Sequence, residues 1–137
     1  MKKLVLLLLF AYVGLNAQDL VPTGAGEVKV TPILHGSLVL ELNNLTVLVD
    51  PYGGAEKFNS FGPADLILIT DIHGDHLHKS TLEGLDTRQS TFIVPQAVAN
   101  QITEMPASKK TVLNNGDSTM FNSMVVTAIP MYNLPEN

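Results

Sequence analysis

Three of the four histidines and two aspartates of this 137-residue sequence fall in one short run, Asp71-Ile72-His73-Gly74-Asp75-His76-Leu77-His78. Directly before it stands Leu66-Ile67-Leu68-Ile69, a continuous apolar run of the kind that marks a strand buried on both faces. Asp71 and His73 are two apart, so in extended backbone their side chains point to one side. Asp75 and His76 are adjacent in the turn that follows and diverge toward a second nearby point. Gly74 lets that turn form without side-chain interference. Imidazole nitrogen and carboxylate oxygen suit zinc, and also iron or manganese. Two such cations about 3.5–4 Å apart activate a shared water and stabilise both attacking and leaving oxygens. A solvated loop that happens to be rich in histidine is the competing reading. The dense spacing directly after an apolar strand weighs against it.

The elements that must position this run are legible from turn residues and periodicity. Strands are predicted over Glu27–Leu34, Leu38–Leu42 and Leu45–Asp50, with Asn43-Asn44 as a hairpin turn. Residues 51–63 read as a loop punctuated by Gly and Pro. A helix opening on a Ser80–Glu83 capping box runs to about Leu85. Thr91–Val94 is a buried strand, and Pro95 opens a helix to about Glu104. Thr111–Leu113, a turn at Asn114–Asp117 and a strand over Met124–Ile129 follow. Meandering strands that then alternate with helices imply an α/β layered domain with a mixed sheet. Open sheets of that kind hold ligands at the carboxyl ends of their strands, where Asp71–His76 stands.

Composition narrows the partners. Met1-Lys2-Lys3, the apolar Leu4–Val13 and Gly14–Ala17 follow the order of a secretory signal peptide, with cleavage expected after Ala17. The apolar run is about half the ~20 residues of a spanning helix, so no stable membrane anchor is expected after cleavage, and the destination is periplasmic or secreted. Residues 18–26 read as a loose lead-in, blocked from regular structure by Pro22, Gly24 and Gly26. Loss of residues 1–17 removes Lys2 and Lys3 and takes the formal net charge from −5 to −7. An acidic chain does not attract polyanions, so no nucleic-acid partner is expected and the substrate is read as a small molecule. With no cysteine, any metal must be held by nitrogen and oxygen.

Asp71-Ile72-His73-Gly74-Asp75-His76 resembles the HxHxDH motif of the metallo-β-lactamase superfamily, with Asp71 where histidine is usual. Val47-Leu48-Val49-Asp50-Pro51, His35-Gly36-Ser37 and Ala128-Ile129-Pro130-Met131-Tyr132-Asn133 are similar to the flanks of one branch, the metal-dependent hydrolases akin to ascorbate-phosphate lactonase. The resemblance runs from about Glu27 to Asn137. It implies that residues 27–137 form the N-terminal half of a four-layer αβ/βα sandwich. It further implies two divalent metal ions, zinc first, with the harder Asp71 oxygen leaning toward iron or manganese. On that resemblance His73, with Asp71 still able to reach, holds one metal. Asp75 and His76 hold the other, and Asp75 is the catalytic group that orients the activated water. The family's remaining ligands, a His, a bridging Asp and a final His, follow the Tyr-Asn element, so the sequence reads as a domain cut in mid-course and inactive by itself.

The remaining candidates are supporting groups. Asp50 is expected to hydrogen-bond the metal loop. His35 reads equally as a group orienting that loop or as a structural histidine. His78 reads as a supporting group or as a solvated histidine at a helix start, and Met120, Met124 and Met131 as core or rim filler. The function expected is an exported metal-dependent hydrolase acting on an ester, lactone, amide or phosphodiester. The alternative is a catalytically inactive metal-binding or partner-binding domain.

Overall fold

The chain folds around a seven-stranded sheet whose strands lie in sequence order. The computed structural model describes residues 18–131. The expected signal peptide and the Tyr132-Asn133 element lie outside the described residues. The strands are β1 (Asp19–Thr23), β2 (Gly26–Pro32), β3 (Leu38–Leu42), β4 (Leu45–Val49), β5 (Leu66–Leu68), β6 (Thr91–Val94) and β7 (Lys109–Val112). β1 to β4 pair antiparallel, and β4 to β7 pair parallel. The sheet is mixed, as the pattern implied. Asn43 and Asn44 turn β3 into β4 with φ of 49° and 65°, the left-handed conformation that a two-residue hairpin needs.

The reading of residues 18–26 as a loose lead-in is corrected. β1 pairs with β2 from Asp19↔Val30 to Thr23↔Gly26. Proline there is compatible with a strand because β1 is an edge, where a missing N–H costs no ladder bond if it faces solvent.

Three short helices lie along one face. A 3-10 helix (Ala55–Phe61) occupies what read as an irregular loop, and α1 (Lys79–Gly84) and α2 (Gln96–Ala99) follow β5 and β6. Phe58, Leu82 and Val98 from these helices join Leu48, Ile67, Phe92 and Val94 in one apolar core. Each full burial of such a side chain contributes roughly 1.5–3 kcal/mol. The opposite face presents Val47, Leu66 and Ile93, covered by Phe121, Met124 and Val126. Those come from a two-stranded hairpin, β8 (Ser118–Phe121) and β9 (Met124–Thr127).

Local signals were overridden in three places. The Ser80–Glu83 capping box does not form, because α1 begins at Lys79 with His78 as its N-cap and no side-chain cap. The helix after Pro95 ends at Ala99 rather than near Glu104. Beyond it Gln101 and Ile102 donate to the carbonyls three residues back, and Lys110 Nζ caps the Ile102 and Thr103 carbonyls at 2.7 and 2.8 Å. Finally, Met120 and Met131 are 62% and 61% exposed, so only Met124 acts as filler.

Candidate metal centre

β4 and β5 run parallel and end side by side, so Asp50 and the Thr70–His76 loop emerge together at the carboxyl ends of these strands. Asp50 sits at φ 45° and is 3% exposed. Its Oδ1 accepts the Thr70 N–H at 2.7 Å. Its Oδ2 accepts the Thr70 hydroxyl at 2.6 Å and faces His76 Nδ1 at 2.8 Å. The hydrogen bond that the Asp50 carboxylate accepts from the ring, with its negative charge, raises the His76 pKa above the ordinary imidazole value, and Asp75 and Asp71 add to the same effect against partial burial.

His76 Nε2 lies 3.9 Å from Asp75 Oδ2. Imidazole nitrogen and carboxylate oxygen are both donor types that hold zinc and related divalent ions. The donor chemistry therefore fits a divalent metal. Among the described residues, however, no three His, Cys, Asp or Glu are gathered into a closed metal set.

Asp71 and His73 do share a side, as their spacing implied, and they bond to each other. Asp71 Oδ2 meets His73 Nδ1 at 2.7 Å, and Asp71 Oδ1 accepts the Ile72 N–H at 2.6 Å. Burial pushes the Asp71 carboxyl up, but the Ile72 N–H and the His73 ring outweigh it and hold the pKa below its usual range. Both Asp71 oxygens are thus engaged by the chain itself. His73 is the most exposed donor, with 66% of its side chain open to solvent.

His35 and His78 flank Tyr52, edge-on at centroid distances of 4.9 and 4.7 Å. His78 Nδ1 meets Thr81 Oγ1 at 2.7 Å, and that oxygen accepts the Gly54 N–H at 2.9 Å. His78 therefore ties α1 to the loop after β4 and is half-buried rather than solvated. His35 has φ 54° and is exposed, and Gly36 next to it lies against the His76 ring. Thr70 was missed by sequence reasoning. Its position between an apolar strand and Asp71 was the available signal, but only the fold shows that it meets Asp50. A cavity of about 220 Å³ borders it, between the ends of β5 and β6 and the β8–β9 hairpin. A larger groove of about 490 Å³ runs between α1 and the segment after α2 and touches none of the loop's candidate ligands.

Residues 29–137 match the model of the beta-lactamase superfamily domain, and the chain belongs to that family. A solved structure from Parabacteroides distasonis, described as a metal-dependent hydrolase, is 34% identical, with a TM-score of 0.73 over 86% of this chain and 52% of its own. A metallo hydrolase from Ignicoccus hospitalis is similar in fold, at 18% identity and a TM-score of 0.54 over 69% of this chain and 43% of its own. Cytidine monophosphate-N-acetylneuraminic acid hydroxylase of Asterias rubens is 30% identical over 88 residues, 53% of this chain and 14% of that protein. The chain thus spans about half the length of the Parabacteroides distasonis structure and a small part of the hydroxylase. The mixed α/β sheet is part of a metallo-β-lactamase-type domain.

Proposed function

We propose that the complete protein is an exported metal-dependent hydrolase that cleaves an ester, lactone, amide or phosphodiester of a small molecule. The observation that carries this is the Asp50–His76–Asp75 arrangement at the carboxyl ends of β4 and β5. A buried carboxylate holds one imidazole nitrogen, and the other nitrogen is left beside a second carboxylate. Carboxylate–histidine pairs of that kind orient metal-binding rings and raise their basicity. Asp75 and His76 are the donors assigned to one ion and His73, with Asp71 in reach, to a second. The remaining donors are assigned to the part of the relatives' length that this chain does not span. A bound divalent ion supplies Lewis acidity and lowers the pKa of its water toward ~7. Around it, Asp75 would orient the incoming water by hydrogen bonding. His76 stays fixed by Asp50, and the cavity beside Thr70 offers apolar walls to the substrate. Zinc is the first choice of metal. The harder oxygen of Asp71 favours iron or manganese at the His73 position.

The test is turnover of a panel of chromogenic esters, lactones, amides and phosphodiesters by the complete protein, before and after chelation. Chelator-sensitive hydrolysis of at least one class is expected. Export is tested separately, by N-terminal sequencing after expression in a Gram-negative host, with a start near Gln18 in the periplasm expected and an intact cytoplasmic Met1 contradicting it.

A second reading, a catalytically inactive metal-binding or partner-binding domain, is favoured by one observation. Each oxygen of the Asp71 carboxylate already accepts a hydrogen bond within the chain, from the Ile72 N–H or the His73 ring. Metal bound without turnover of any substrate class would select that reading.

A further inference from the structure

We infer that Thr70 is a positioning residue, whose hydroxyl locks the Asp50 carboxylate and the His76 ring in the one proton arrangement that leaves His76 Nε2 free to bind metal. The inference rests on the metal-site reading above. Asp50 Oδ2 receives two contacts, Thr70 Oγ1 at 2.6 Å and His76 Nδ1 at 2.8 Å. Thr70 Oγ1 and His76 Nδ1 are also 3.0 Å apart. A hydroxyl has one proton to donate. At 2.6 Å from a carboxylate oxygen, that proton belongs to the Thr70–Asp50 bond. Toward the ring, Thr70 therefore offers only lone pairs. His76 Nδ1 then faces two acceptors, and it can satisfy them only by carrying hydrogen itself.

The neutral ring is consequently the Nδ1–H tautomer, with its lone pair at Nε2 on the side of Asp75. Without the hydroxyl, Asp50 keeps the Thr70 N–H on Oδ1 and the His76 ring alone on Oδ2. The carboxylate then loses one of its three contacts, and the ring loses one of the two acceptors that hold it. Threonine suits the task because its β-branched side chain has few rotamers, which keeps the hydroxyl aimed.

Thr70→Val keeps the shape and the backbone N–H but removes the hydroxyl, and Thr70→Ser keeps the hydroxyl. Two readouts apply to the complete protein. One is zinc affinity from chelator competition. The other is the His76 tautomer in the metal-free protein, from imidazole nitrogen chemical shifts at a pH well above the imidazole range. Thr70→Val is expected to weaken zinc binding roughly 10–100-fold, the usual cost of losing such a partner, and to add Nε2–H tautomer. Thr70→Ser is expected to restore most of both. Unchanged zinc affinity and an unchanged tautomer in Thr70→Val overturn the inference, and so does a Thr70→Ser variant as weak as Thr70→Val. Should the wild type bind no zinc while Thr70→Val still shifts the tautomer, the metal-site reading fails and the positioning role of Thr70 stands.

Discussion

The Asp50 backbone sits at φ 45°, a conformation open to Asp and Asn but strained for most other residues. Asp50→Asn is therefore expected to fold, while losing the charge that holds His76. Because that contact raises the His76 pKa in the folded state, the extra stability it gives the protonated ring is complete below the unfolded value of about 6.5 and is lost as pH rises through the raised value. The melting temperatures of metal-free wild type and Asp50→Asn should accordingly differ most near pH 5.5 and converge as pH rises. A gap that widens with pH would show that the Asp50–His76 contact is not charge-assisted. Asp71 calls for a different experiment. With both oxygens engaged locally, it is expected to hold a metal less firmly than a histidine would, so that an ion at His73 should be partly lost on dialysis. Asp71→His is expected to raise zinc toward two per chain. An unchanged zinc content in this variant would rule out a weakened first position.

Among the elements, Gly84 closes α1 against the 3-10 helix. A Cβ there would stand 2.7 Å from the Ala55 Cβ, too close for two carbons. Gly84→Ala should destabilise by roughly 1–3 kcal/mol, as overpacking does, although alanine is the better helix former. Thermal melts of a double-mutant cycle with Ala55→Gly should show recovery, and additive losses would contradict the contact. The buried strand β5 was legible because Leu66, Ile67 and Leu68 are apolar on both faces. The turn at Asn43-Asn44 was legible because of the backbone it demands. β1 was not legible, since Pro22 and the glycines around it are loop signals that edge pairing with β2 overrides. Nor was the 3-10 helix, whose flanking Gly54 and Gly62 look like loop residues while the burial of Phe58 decides the packing. At the site, spacing alone placed Asp71 beside His73. Asp50 does hydrogen-bond the metal loop, as expected, but its partner Thr70, twenty residues away, had no local signature.

On the scale of the molecule, one surface is conspicuously apolar. Met120 and Val125 face each other across the β8–β9 hairpin, 62% and 64% exposed, and Ile129 beyond them is 79% exposed. Clusters of this kind promote association. Residues 18–137 produced as an isolated segment are expected to self-associate in sedimentation and to show no hydrolase activity. A monomeric segment with a cooperative melt would contradict this. The central claim is that the loop following β5 holds metal through Asp75 and His76. Elemental analysis of the complete protein after dialysis tests it most directly, alongside Asp75→Ala and His76→Ala. Bound divalent metal in the wild type and loss of at least one ion per chain in each variant is the predicted result. Equal metal content in all three proteins, or none in the wild type, would contradict the account.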